Sequence, residues 1–326
     1  MNKSIQQIIE RINQQIGQLN YGDNPKELYD PIAYIMDLGG KRMRPLLTVL
    51  AYQLYNSSSD EVMDAALAVE IFHNFTLMHD DIMDEAPLRR GKATVHEKWN
   101  APVAILSGDV MLVRAYDQLI DFCPAEKLPL ILKKFNRCAE EVCEGQQHDM
   151  NFEQRETVGE EEYISMIRQK TAVLLAFSLE LGGILADTTA EDQQKLYEMG
   201  INIGIGFQLM DDLLDVYADQ DKFGKQVGGD IISNKKTYLL IKAKELAKAE
   251  DKKQLEHWLA LEDFDKAEKV AAVKEIYSHL KIKELAEAKM NQYFQKGFEN
   301  LNAIKGDASQ KELLSDFFQY LIKREQ

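Results

Sequence analysis

Two runs of carboxylates hold the densest chemistry in this chain: Asp80-Asp81-Ile82-Met83-Asp84 and Asp211-Asp212-Leu213-Leu214-Asp215. Both read DDxxD, and each closes a long apolar-periodic stretch. On a helix, residues four apart share a face, so Asp80 stands over Asp84 and Asp211 over Asp215. Like charges at that spacing oppose the helix, and carboxylates near a helix C-terminus also oppose its macrodipole. A sequence that accepts this cost twice calls for a compensating cation. Magnesium fits, because it takes one or two carboxylates and completes its shell with waters and substrate phosphates. Two such helices facing each other would hold Mg²⁺ with positions open to a diphosphate.

The basic residues point the same way. Lys41, Arg42 and Arg44 lie in Gly39-Gly40-Lys41-Arg42-Met43-Arg44-Pro45, a glycine turn that opens a helix with concentrated positive charge. Backbone amides at a helix start and forked guanidinium groups both suit phosphate. Arg89 and Arg90 follow the first DDxxD, Lys170-Thr171 sits in an apolar helix, Lys225 follows the second DDxxD, and Lys235 opens the next helix. Gathered around acidic motifs, these cations argue for two anionic ligands, one held through metal and one held directly. His73 precedes Asp80 and Asp84 by seven and eleven residues, within one narrow helical sector, which favours a site role over a core role. Glu70-Ile71-Phe72-His73 is a single ExxH; a di-iron bundle needs two, with two further glutamates, and no second ExxH occurs.

The elements that position these groups are helices. Apolar residues recur at three and four, with no convincing alternating strand. The pattern predicts helices over about 3–19, 25–38, 44–55, 60–84, 101–121, 126–152, 160–186, 190–218, 235–248, 265–302 and 309–323. Breaks are expected at Gly39-Gly40, 56–59, 87–91, 157–159, 224–229 and Gly306. Residues 249–285 are more charged and read as peripheral helices. No Pro/Ser-rich linker divides the 326 residues, so a single domain over 1–326 is expected.

Composition excludes other classes. With 54 acidic against 39 basic residues the net charge is −15, which repels nucleic acid and anionic lipid surfaces. The N-terminus has no signal-peptide core, and the most apolar stretch, 172–186, is too short to span a bilayer and contains Glu180. Three unevenly spaced cysteines without a CxxC indicate a reduced, cytoplasmic protein without an integral membrane segment.

Taken in order, GGKRMRP, HNFTLMHDDIMDEAPLRRGKATVH, GDVML, EGQQHDM, YISMIRQKTAVL, GFQLMDDLLDVYAD and GKQVGGDIISNKKTYLL resemble the trans-isoprenyl diphosphate synthases, or polyprenyl synthetases. The resemblance covers most of the chain. It implies an all-α fold of largely antiparallel helices around a deep central cavity (the isoprenoid synthase fold), usually as a homodimer. It also implies condensation of isopentenyl diphosphate with an allylic diphosphate (dimethylallyl, geranyl or farnesyl), with Mg²⁺ as cofactor. By this likeness, Lys41, Arg44, His73 and Arg90 bind the isopentenyl diphosphate. Asp80, Asp84 and Asp211 ligate Mg²⁺, with Asp81, Asp212 and Asp215 as supporting or water-mediated ligands. Arg89, Lys170, Lys225 and Lys235 contact the allylic diphosphate, Asp149 orients Lys170, and Thr171 and Gln208 lie near the carbon that becomes cationic.

In such enzymes the residues before the first DDxxD form the cavity floor. Phe75, at the fifth position before it, is bulky; Thr76, at the fourth, is small; and the motif lacks the two-residue insertion of bacterial short-chain synthases. These features imply a C20 product, with C15 next. On an ideal helix, however, Thr76 follows the Asp80 stripe, Phe75 is turned roughly 140° away, and Phe72 is nearer the stripe and about 12 Å along it. Either aromatic could be the floor, or both could be ordinary core, as Phe on a buried helix usually is. The rival readings are a longer-chain polyprenyl synthase, a class I terpene cyclase, which usually lacks the second DDxxD, and a non-catalytic subunit of a heteromeric synthase, which tends to lose one acidic motif.

Overall fold

Ile5, Ile8, Ile12 and Ile16 recur once per helical turn and line the buried face of α1 (Lys3–Ile16). Asn2 caps this helix by accepting the amide proton of Ser4 at 2.9 Å. The computed structural model describes residues 2–218 and 228–324, and helices account for nearly all of its regular structure. None of the described helices is long and apolar enough to cross a membrane. The chain divides into two compact units, one built from Met1–Arg137, Phe177–Tyr197 and Ile304–Phe317, the other from Cys138–Ala176, Glu198–Ala303 and Phe318–Gln326.

In the first unit, α2 (Lys26–Asp37), α3 (Met43–Gln53), α4 (Asp60–Met83), α5 (Val95–Lys98) and α6 (Ala101–Phe122) follow α1. Val62 through Met63 and Ala65 through Val69 are all buried, so α4 is apolar on every side and needs neighbours all round. It has them in α1, α2, α3, α5 and α6. That enclosure fixes the helix whose last turn carries the first DDxxD. Asn100 caps α6, accepting the Val103 amide at 2.9 Å. Further down α4 an aromatic cluster forms: Phe72 packs against Phe75 at 5.5 Å and Phe135 at 5.1 Å between ring centres, and Phe135 meets Tyr116 at 4.9 Å and Phe177 at 5.5 Å.

Stretches of α7 (Leu128–Gln154), α9 (Val173–Leu185), α10 (Ala190–Tyr217) and α16 (Ala308–Arg324) fall in each unit. The second unit adds α8 (Glu160–Ile167), α11 (Gly229–Ile232), α12 (Tyr238–Leu246), α13 (Ala249–Ala260), α14 (Lys266–His279) and α15 (Ile282–Ala303). Here α10 packs backbone-close to α9 and the turn before it: a Cβ on Gly204 would come within 2.6 Å of the Cα of Ala172. Glu160 at the start of α8 ties in α12 and α15 through Lys242 at 2.6 Å and Lys289 at 2.7 Å. That ties down α8, whose Tyr163 reaches the second DDxxD on α10.

Four details depart from the periodicity. Leu88–Arg89 and Lys92–Ala93 pair as a minimal antiparallel hairpin, β1 and β2, where only a break is expected; two-residue strands are too short to show alternation. The predicted helix 160–186 contains a π-helical turn at Arg168–Ala172. Predicted helix 265–302 is two helices, separated at Leu280-Lys281, where Lys281 is left-handed (φ 54). Lys235 does not open a helix, since α12 begins at Tyr238, while α13 falls within the stretch 249–285 expected to be helical.

Candidate active site

The first acidic end belongs to the first unit. α4 stops at Met83, Asp84 takes the C-cap position with its amide donating to the Asp80 carbonyl at 2.9 Å, and Glu85 turns the chain in the left-handed conformation. Asp84 is exposed and Asp80 half-buried, one helical turn apart. Asp81 points the other way and is 2 % exposed. The left-handed turn at Glu85, closed by the Ala86 amide donating to the Asp81 carbonyl at 2.9 Å, brings Arg89 back to it: the Arg89 Nε donates to both carboxylate oxygens, at 2.9 and 2.8 Å, and a terminal nitrogen reaches Oδ1 at 2.7 Å. The middle aspartate therefore holds the Arg89 guanidinium.

The glycine turn that precedes α3 belongs to the same unit. Gly39 and Gly40 adopt φ of 78° and 138°, open only to glycine without strain, and the Arg90 guanidinium lies against them. It donates to the Gly39 carbonyl, and a Cβ on Gly40 would sit 2.8 Å from an Arg90 nitrogen. Lys41 is exposed and Arg44 half-buried. Arg42 departs from the sequence picture of one concentrated cation cluster. Left-handed and buried, it pairs with Glu70 at 2.6 Å and donates to the Met36 carbonyl at 2.7 Å and to Asn13 at 3.0 Å. It anchors the turn and does not face a ligand. His73 is held neutral, its pKa pushed well below the usual value by burial and then by Arg44, Arg90, Arg89 and Arg42. Thr76 donates its hydroxyl to the His73 carbonyl at 2.8 Å.

The second acidic end belongs to the second unit and repeats the construction. Asp211, near the end of α10, is exposed, and Gln208 donates to it at 3.3 Å. The middle aspartate, Asp212, is turned inward, accepting the Tyr163 hydroxyl at 2.6 Å and the Tyr238 amide at 3.2 Å. Burial raises its pKa to about 8, against the opposing effect of the Tyr163 hydrogen bond. Asp215 accepts the Asp230 amide at 2.9 Å and so fastens the start of α11. Asp230 is itself raised to about 6 by burial, with Lys235 pulling it down and Asp215 and Asp149 pushing it up. Lys235 is exposed, and its amide donates to the Asp230 carbonyl at 2.9 Å. Lys225 lies outside the described residues.

Lys170 and Thr171 occupy the π-helical turn, where one extra residue per turn re-aims side chains; such bulges occur often at functional sites. The Lys170 ammonium donates to Asp149 at 2.7 Å, the orientation expected. Tyr163 and Asp230 are site-supporting residues that sequence reasoning passed over, although both lie within the resemblance segments, Tyr163 opening YISMIRQKT and Asp230 closing GGD. A cavity of about 700 Å³ lies elsewhere in this unit, between the 155–158 loop, α12 and α13, and none of the predicted site residues lines it.

Among the described residues, no group of three or more His, Cys, Asp and Glu forms a ready-made metal cage. Each acidic end offers carboxylate oxygens one turn apart, the hard donor set that suits Mg²⁺ sharing its shell with phosphate and water.

The sequence profile of the polyprenyl synthetase family matches residues 25–279. The geranylgeranyl pyrophosphate synthase of Geoglobus acetivorans is 36% identical over 321 residues, 96% of this chain and 96% of that one. A crystal structure of a geranylgeranyl pyrophosphate synthase superposes with a TM-score of 0.91 at 42% identity, covering 99% of both chains. A polyprenyl synthase from Caulobacter crescentus, solved with calcium and isoprenyl diphosphate, superposes with a TM-score of 0.82 at 25% identity, covering 97% of this chain and 94% of that one.

Proposed function

This chain belongs to the polyprenyl synthetase family, and we propose on that premise that it joins isopentenyl diphosphate head to tail to an allylic diphosphate, with a C20 product favoured over C15. The observation that carries this reading is the shared construction of the two acidic ends. In each, the middle aspartate is buried and held, Asp81 by Arg89 and Asp212 by Tyr163, while Asp84 and Asp211 stay exposed. We take residues 1–326 as one synthase domain, because the family match runs through segments of both units.

Lys41, Arg44, His73 and Arg90 bind the diphosphate of isopentenyl diphosphate. A neutral His73 among arginines keeps the charge there from rising further until an anion arrives. Arg89, Lys170 and Lys235, with Lys225, bind the allylic diphosphate. Asp81 keeps Arg89 extended toward it, and Asp149 does the same for Lys170. Asp80, Asp84 and Asp211 would hold Mg²⁺, with Asp81, Asp212 and Asp215 fixing the helix ends that present them; the calcium of the Caulobacter relative supports a divalent ion here. When bound, Mg²⁺ supplies Lewis-acid stabilisation of the departing diphosphate. Thr171 and Gln208 flank the allylic carbon, and excluding water from it prevents capture of the cation. Phe72 and Phe75 form the aromatic wall that limits chain growth.

The active form is a homodimer. Leu106, Val113 and Ile120 on α6 are spaced by seven and exposed, with Ile105 next to Leu106 also exposed. A heptad of apolar residues is the signature of a helix seam awaiting a partner. Three free thiols suit a reducing, cytoplasmic setting.

The test is incubation of the purified chain with isopentenyl diphosphate, an allylic diphosphate and Mg²⁺, followed by chromatography of the product. A C20 prenyl diphosphate is the expected result. A cyclic hydrocarbon would replace this reading with a cyclase, and no product would replace it with a partner subunit.

A further inference from the structure

Lys269, on α14, exposes no surface to solvent. Its ammonium has neutral partners: the Ile232 carbonyl at 3.2 Å, the Asn234 side-chain oxygen at 2.7 Å, and the face of Phe264 at 4.1 Å from the ring centre. Burying a cation against neutral groups is costly, so its position calls for a reason. The reason lies in what the two oxygens belong to. Ile232 ends α11, and Asn234 is a left-handed residue (φ 54) immediately before Lys235. The Asn234 amide nitrogen donates to the Leu259 carbonyl at 3.1 Å, which leaves its oxygen aimed at Lys269.

The next residue of α14 grips the other end of the same segment. Val270 packs on Gly228 so closely that a Cβ there would lie 2.7 Å from a Val270 methyl. Between these grips, the Gly228 and Asp230 amides both donate to Asp215, at 2.6 Å to its carbonyl and 2.9 Å to its carboxylate. The segment 228–235 is thus fastened in front by the last aspartate of the second DDxxD and behind by Lys269-Val270.

We propose that Lys269 is a positioning residue, clamping the segment 228–235 against the Asp215 end of α10 so that the Lys235 ammonium stands in register for the allylic diphosphate. This rests on the assignment of Lys235 to that diphosphate. A methionine of similar reach would fill the same volume but leave the Ile232 and Asn234 oxygens without their donor. The segment would then shift while the hydrophobic packing of α14 persisted.

The experiment measures steady-state constants for both substrates, and titrates a non-ionisable allylic diphosphate analogue, in the wild type, Lys269→Met and Asn234→Gly. The glycine variant keeps the left-handed backbone while removing the same hydrogen bond, and so serves if the methionine variant does not fold. In each variant the KM for the allylic diphosphate and the Kd of the analogue should rise about tenfold, the scale of a small misplacement of a binding group. The KM for isopentenyl diphosphate should stay near wild type. Unchanged allylic constants in a folded variant, or equal rises for both substrates, would overturn the clamp. A wild-type chain that does not bind the analogue would overturn the functional reading and the clamp with it.

Discussion

Arg89 meets Asp81 side-on, its Nε within 2.9 Å of both carboxylate oxygens, so the middle aspartate of the first DDxxD is committed to holding the Arg89 guanidinium. The pair explains why the hairpin follows α4 at once. The left-handed turn at Glu85, with the Ala86 amide closed on the Asp81 carbonyl at 2.9 Å, is what returns Arg89 to a carboxylate in the last turn of the helix.

Removing Arg89 leaves the Asp81 carboxylate buried and unpaired. Arg89→Ala should therefore destabilise the protein by about 3 kcal/mol. Arg90→Ala removes an exposed side chain and should cost about 0.5 kcal/mol or less. Urea denaturation midpoints check this; equal losses would show that the Asp81 pair is not structural.

His73 gives the stability a defined pH dependence. Its folded pKa lies below the ordinary value near 6.5, because burial and the arginines disfavour the cation. As pH falls below about 6.5 the unfolded chain takes up a proton that the folded chain refuses, so stability present above that pH is lost on acidification, by up to about 1.4 kcal/mol per pH unit. His73→Gln should flatten the slope between pH 7.5 and 5.5 in denaturant titrations. Identical slopes for both proteins would contradict it.

Phe72 is fully enclosed and Phe75 is at the edge of the same cluster, 9 % exposed. Phe72→Ala should cost about 3–5 kcal/mol in stability. Phe75→Ala should cost less and extend the product beyond C20. Chromatography of the dephosphorylated alcohols reads the length; if neither variant lengthens it, the floor is formed by other residues.

A charge placed in the α6 stripe should break the dimer. Val113→Glu, at a side chain 58 % exposed in the single chain, should run as a monomer in size-exclusion chromatography with light scattering. A wild type that is monomeric at micromolar concentration would remove the dimer from this account.

The sequence made the acidic helix ends readable because their cost is local: DDxxD spacing and the preceding apolar stretch suffice. The roles of neighbours within a motif were not readable. Lys41, Arg42 and Arg44 look alike as charges, yet a left-handed turn sends Arg42 alone to Glu70, a partner 28 residues away. The π-helical turn under Lys170 leaves the apolar periodicity nearly unchanged. Tyr163 reaches Asp212 across 49 residues and Lys269 reaches Asn234 across 35, separations that no local pattern encodes. Family resemblance supplied the ligand roles, while the structure supplied the residues that hold them.

On the proposed function, both acidic ends serve one prenyl transfer. Its most direct test is the rate of chain elongation from isopentenyl and allylic diphosphates in Asp80→Ala and Asp211→Ala, with circular dichroism confirming the fold. Each variant should lose a factor of about 10² or more, on the scale of removing a preorganised electrostatic contact. Near-normal turnover in either folded variant would contradict the account.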